Sequence, residues 1–260
     1  MKLLRFEVGD EQKVGYLKEN FVYELPMSIK EALITDDLEE KQIKSYDLMK
    51  INILPPVIPS KIVCVGLNYE NHAKELGLKL PEEPTLFIKP SSSIIGHRDK
   101  VIYPATSKQL DYEAELAVVI SKEAKFITHG EVDDYIGGYT ILNDVTARDL
   151  QTKDGQWTRS KSFDTFCPLG PVIETDLDPE NQTILLKCNG ELKQQDNTAN
   201  MIFSARELVV YISSIMTLNP GDIIATGTPM GVGHFKPKDI VRIKISDIGI
   251  LENQAISYQY

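Results

Sequence analysis

The sequence predicts an α+β protein in which strands outweigh helices, with a small N-terminal unit ahead of a larger β-rich domain. Short runs rich in β-branched residues recur along the whole chain, helical spacing is confined to a few stretches, and Leu54-Pro55-Pro56-Val57-Ile58-Pro59 gathers prolines in one place. Each of those prolines removes a backbone donor and stiffens the chain, so the segment reads as a boundary. It divides the chain into residues 1–53, a small α+β unit, and residues 54–260, the domain that carries every candidate site residue.

In the first unit, residues 2–8, 14–17 and 21–24 read as strands and the stretch 29–49 as a helix. Beyond the prolines, residues 62–66, 116–120, 137–142, 183–188, 222–226 and 241–245 read as strands. Two helices are expected there. Asn68 is placed to cap a short one ended by Gly77, and Ser204 a longer one reaching Met216, with Leu208, Tyr211, Ile212 and Ile215 at helical spacing.

Composition narrows the function classes. Of 260 residues, 42% are hydrophobic and 25% charged, enough to bury a core without disulfides. Cys64, Cys167 and Cys188 are odd in number and far apart, which supports neither a disulfide framework nor a zinc knuckle. With 38 acidic against 28 basic residues the net charge is −10, a field that repels phosphate backbones, so no nucleic-acid partner is expected. No apolar run is long enough to span a membrane, and Met1-Lys2-Leu3-Leu4-Arg5 meets charge before a signal core could form; a cytoplasmic location is expected.

Asp111, Glu113 and Glu115 alternate along one strand face, because side chains in a strand repeat with period two. An amphipathic strand with a solvated acidic side would look the same. Asp144, directly after the strand 137–142, supplies a further carboxylate at a strand end, where catalytic groups are often seated. Carboxylates converging without a cation would repel by about 4 kcal/mol per pair at about 4 Å and an effective dielectric of about 20. A divalent ion removes that cost, and oxygen-only ligands suit Mg²⁺ or Mn²⁺ rather than zinc. Three carboxylates around a dication leave a charge of −1, so an anionic substrate requires a nearby cation, for which Lys161 is the candidate. His72 stands three residues before Glu75 on a helical stretch, a spacing that lets the carboxylate raise the imidazole pKa and fix its tautomer as a general base requires. The short helix that carries them could order over a bound substrate as a lid. His97, His129 and His234 read as surface loop residues. The run 221–233 is rich in small residues and lets backbone amides and the Thr228 hydroxyl approach a ligand oxygen, but it matches neither a P-loop nor a dinucleotide fingerprint.

These segments together resemble the fumarylacetoacetate hydrolase family. The resemblance rests on Val65-Gly66-Leu67-Asn68-Tyr69 with His72 following, Phe87-Ile88-Lys89-Pro90-Ser91, Asp111-Tyr112-Glu113-Ala114-Glu115-Leu116 and Asn143-Asp144-Val145-Thr146-Ala147-Arg148-Asp149-Leu150-Gln151. It continues, in the same order, through Lys161-Ser162-Phe163-Asp164, Asn189-Gly190-Glu191 and Thr226-Gly227-Thr228-Pro229. What it implies is a mixed β-roll, a homodimer, and Mg²⁺ or Mn²⁺ held by Glu113, Glu115 and Asp144. It also implies that Lys161, Gln151, Arg148 and Thr228 meet a 2-oxo acid, and that His72 and Glu75 form a dyad that activates water or moves protons. Several relatives carry Arg where this chain has Leu67.

The chemistry so implied is an enolate formed at C3 of a 2-oxo acid. Carbon–carbon hydrolysis of an acylpyruvate or decarboxylation of oxaloacetate is the preferred outcome, because the dyad suits activation of water. Tautomerisation or isomerisation of an unsaturated diacid, as in 2-hydroxyhepta-2,4-diene-1,7-dioate isomerases, is the alternative. A non-catalytic metabolite-binding oligomer would show missing site residues, and Glu113, Glu115, Asp144 and Lys161 are all present.

Overall fold

The computed structural model describes residues 1–258, in which mixed sheets dominate and helices are few and short. The expected strands form, several with the same bounds: Lys2–Val8, Ile62–Gly66 and Thr183–Cys188. The largest sheet has twelve strands and holds Ala114–Ile120 at its centre, paired antiparallel with Ile136–Asn143 on one side and Ile223–Ala225 on the other. All seven residues of Ala114–Ile120 are buried, as befits a strand covered on both faces. A five-stranded sheet built around Thr183–Cys188, Ile240–Ile245 and Gly249–Ser257 closes the roll.

The N-terminal strands enter the same large sheet through Lys2 opposite Glu174 and Leu3 opposite Ile173. One apolar cluster joins Leu3, Tyr16, Leu25 and Ile29 to Ile62, Ala117, Val119 and Ile223.

Three local expectations are corrected. The stretch 29–49 is not one helix: a single turn, Ile29–Ala32, gives way to a 3₁₀ turn at Leu38–Lys41, the strand Ser45–Asp47 and another 3₁₀ turn. The Ser28–Glu31 capping box starts the helix, but Asp36-Asp37 follows as a turn, with Asp37 left-handed at φ 55°. Asn68 does not cap the helix Glu70–Glu75; Tyr69 holds that position with no side-chain bond. Ser204 does cap Ala205–Ile215, through a full capping box, but the buried face is Ala205, Leu208, Val209 and Ile212, while Ile215 is exposed. The three cysteines are free and buried. No helix among the described residues is long and apolar enough to cross a membrane.

Candidate active site

The site is built where two antiparallel strands end side by side. Glu113 sits at the break between Leu110–Tyr112 and Ala114–Ile120, and Asp144 directly follows Ile136–Asn143. Their backbones are locked together: the Asp144 N–H donates to the Glu113 carbonyl at 2.9 Å, and the Glu113 N–H donates to Asn143 Oδ1 at 3.0 Å. Glu115 reaches the same point from the next inward position, where it accepts from the Gly227 N–H at 2.8 Å. Gly227 has φ +94°, and a Cβ there would meet the Asn68 Cβ at 2.7 Å, so only glycine fits. Asn68 is turned inward to make that contact; its amide donates to the Phe203 and Thr226 carbonyls and its Oδ1 accepts from the Phe203 N–H.

One carboxylate oxygen from each of Glu113, Glu115 and Asp144 lies within 4.8 Å of the others, and all three residues are buried. The donors are all oxygen, the set a hard divalent cation prefers, so these residues can hold one. The acidic face is therefore not solvated, and the alternation parts within it: Asp111 is also buried but turns to other partners.

Charge around the trio is balanced by more cations than Lys161 alone. Lys161 Nζ donates to Glu113 Oε2 at 2.8 Å and to Asp144 Oδ2 at 2.5 Å. Lys89, fully buried, donates to Asp144 Oδ1 at 2.5 Å and to the Val145 carbonyl at 3.2 Å. Arg148 spans the other side, with Nε on Asp111 Oδ2 at 2.7 Å, one terminal nitrogen on Glu113 and the other on Gln151 Oε1 at 2.5 Å. A dication held by the trio therefore leaves no net negative centre. The role of Lys89 was not derivable from its own segment, where a lysine before a proline carries no signal of burial. Nor was that of Gln194, whose buried amide accepts from the Ala114 N–H and donates to Thr228 Oγ1 and the Pro229 carbonyl.

These partners set the proton affinities. Burial pushes the Glu113 carboxyl up, but Lys161 and Arg148 beside it outweigh that and hold it at about 2. Glu115 goes the other way: burial, then Asp144 and Glu113 nearby, push it well above the usual carboxylate range. Lys161 is pulled down by burial and raised more strongly by Asp144 and Glu113, so it stays protonated.

Glu115 thus holds its proton to higher pH in the folded metal-free protein than in the unfolded chain, which gives it up near pH ~4.3. Its contribution to stability is full below that value and is lost as pH rises through the folded pKa. A divalent cation must displace the proton, so Mg²⁺ affinity should rise by up to about tenfold per pH unit below the folded Glu115 pKa. Calorimetry in two buffers of different ionisation heat should show proton release on Mg²⁺ binding, and Glu115→Gln should abolish it. Release that persists in the variant would refute the assignment.

His72 faces the same pocket from the short helix, with Nδ1 2.9 Å from Glu75 Oε2, and Glu75 also accepts from the Gly231 N–H at 3.2 Å. A cavity of about 170 Å³ brings together His72, Glu113, Glu115, Asp144, Lys161 and Thr228. Arg148 and Gln151 line it too, and Glu75 stands behind His72. Of the other histidines, His129 is exposed as expected. His234 is exposed as well but lies in the strand Gly233–Phe235, with Nδ1 2.5 Å from Asp111 Oδ1, and His97 is half-buried and accepts from the Glu252 N–H. Periodicity could not have placed either, because both partners are remote in sequence.

The fumarylacetoacetate (FAA) hydrolase C-terminal family model matches residues 61–256. An uncharacterised protein of Methanocaldococcus jannaschii is 54% identical over 96% of this chain and 97% of its own. The mitochondrial oxaloacetate tautomerase of Rattus norvegicus is 43% identical over 80% of this chain and 70% of its own. The solved 2-hydroxyhepta-2,4-diene-1,7-dioate isomerase of Mycobacterium marinum superposes with a TM-score of 0.90 at 37% identity, covering 100% of both chains. With the family match spanning most of the sequence and the whole fold shared, this chain belongs to the fumarylacetoacetate hydrolase family.

Proposed function

We propose that this protein is a divalent-metal-dependent enzyme that moves a proton at C3 of a 2-oxo acid, interconverting keto and enol forms. The observation that carries the reading is a His–carboxylate pair opening onto the same small pocket as three buried carboxylates and a protonated lysine. Held by Glu113, Glu115 and Asp144, Mg²⁺ or Mn²⁺ would supply a Lewis acid that favours negative charge on the substrate oxygens. Glu75 keeps the proton on Nδ1 of His72, which leaves Nε2 as a base to take a proton from C3. Lys161 is near enough to the trio to offset charge that accumulates on the oxygens, and Arg148 with Gln151 orients the carboxylate. Thr228, held by Gln194, offers a hydroxyl to the same pocket. The relative of Rattus norvegicus is named an oxaloacetate tautomerase, which agrees with proton transfer as the core reaction.

Carbon–carbon cleavage of an acylpyruvate, or decarboxylation of oxaloacetate, is the second reading. It is favoured by the contact of His72 with Glu75 beside the pocket, since the same imidazole could equally activate a water. A homodimer in the cytoplasm accompanies both readings.

His72→Ala should slow exchange of C3 protons of oxaloacetate into deuterated water by about 100-fold or more, with Mg²⁺ affinity unchanged. Equal loss of metal binding would sink the assigned role. Products from oxaloacetate and acetylpyruvate separate the two readings: exchange without pyruvate formation supports tautomerisation, and release of pyruvate supports cleavage or decarboxylation.

A further inference from the structure

We infer that the pocket contains a second, apolar subsite, and that the preferred substrates are 2-oxo acids whose remote end is an uncharged hydrocarbon group rather than a second carboxylate. The inference rests on the 2-oxo acid reading above and goes beyond it. Besides the carboxylates and cations, the cavity is lined by Val65, Leu67, Leu76, Leu78, Phe87 and Trp157. Trp157 is the only tryptophan in the chain. It is set rigidly: its indole packs where a Cβ on Gly66 would come within 2.8 Å, and Phe87 meets it edge-on with ring centroids 5.1 Å apart. Phe87 in turn lies under Lys161 Nζ, 5.0 Å from its ring centroid, so the apolar wall begins where the charged groups end.

Lys161 is the cation that meets these apolar residues, over Phe87, and its ammonium is already shared by Glu113 and Asp144. Arg148 is tied to Asp111 and Glu113, and His72 is engaged through Nδ1 with Glu75. A second carboxylate placed among these side chains would lose its hydration without gaining a counter-charge, whereas an alkyl or acyl tail would lose only contact with water. Leu76 and Leu78 are more than half exposed, and both lie at the end of the helix that carries His72 and Glu75. An apolar tail gives them a surface to cover, so the tail and the dyad would be enclosed together.

The test compares 2-oxohexanoate with 2-oxoglutarate, of similar length but with a methyl or a carboxylate at the remote end, and uses oxalate as a ligand with no remote end. Binding to the Mg²⁺-loaded protein is measured by calorimetry, and Trp157 emission reports contact with the wall. We expect 2-oxohexanoate to bind at least tenfold more tightly than 2-oxoglutarate and to shift Trp157 emission to the blue, while oxalate binds without that shift. Leu78→Lys, a change at an exposed position, should reduce the preference to below threefold by giving the remote carboxylate a partner. If oxalate binds but 2-oxoglutarate binds as tightly as 2-oxohexanoate in the parent protein, the apolar subsite is overturned and the 2-oxo acid reading stands. If neither oxalate nor either 2-oxo acid binds, the functional reading falls and takes the subsite with it.

Discussion

Replacing Asp144 by asparagine should lower the unfolding free energy of the metal-free protein by about 3–5 kcal/mol, the cost of leaving buried charges without their partner. Lys89 and Lys161 both end on this carboxylate, one on each oxygen, and both are buried. Lys161 retains Glu113, but Lys89 keeps only the Val145 carbonyl. Urea denaturation at constant m-value is the measurement. Adding Lys89→Met to the variant should recover part of the loss, because the second change removes the stranded charge and leaves a side chain of similar volume. A single-variant effect below about 1 kcal/mol would mean that the lysines do not depend on Asp144, and the charge balance described for the site would be wrong.

Glu113→Ala should reduce metal-dependent turnover by more than about 100-fold, the upper range reached when only an outer partner of a metal ligand is lost. The change removes a proposed ligand and at the same time leaves Lys161 and Arg148 with fewer counter-charges. Both cations would then turn toward Asp144 and Asp111, their remaining partners, and the substrate carboxylate would lose its intended orientation. Raising Mg²⁺ should not restore the rate. A Glu113→Ala protein that turns over oxaloacetate normally with Mg²⁺ would show that the acidic trio is not the metal centre.

Much of this architecture was legible in the sequence, and the parts that were not share a cause. Strands such as Thr183–Cys188 and Ile240–Ile245 announced themselves because apolar residues recur at every second position, Ile184, Leu186 and Cys188 in one and Val241, Ile243 and Ile245 in the other, which is a property of neighbouring positions. Glu191–Asn197 was missed because ELKQQDN is largely polar, and Gly249–Ser257 because the polar Asn253 shares the buried face with Leu251 and Ala255; both take their conformation from the strands beside them. The site follows the same rule. Glu113, Glu115 and Asp144 stood out through type and position at strand ends, and the dyad through its three-residue spacing. Lys89 and Gln194 did not, because a buried lysine or amide is defined by what surrounds it, here Asp144 from one strand and Thr228 from a distant loop. Alternation alone left a solvated acidic face open for Asp111, Glu113 and Glu115, and the partners that bury them are remote in sequence: Arg148 for Asp111 and Glu113, Lys161 for Glu113 and Gly227 for Glu115.

The pairing of Lys89 and Lys161 with Asp144 also bears on the order in which the protein matures. Small zinc domains remain unstructured until their ion arrives, since only the ion can reconcile their ligands. Here two internal ammonium groups and a retained carboxyl proton already reconcile them. The polypeptide can therefore finish folding without a cation, and an ion held by the three carboxylates can arrive afterwards, by exchange.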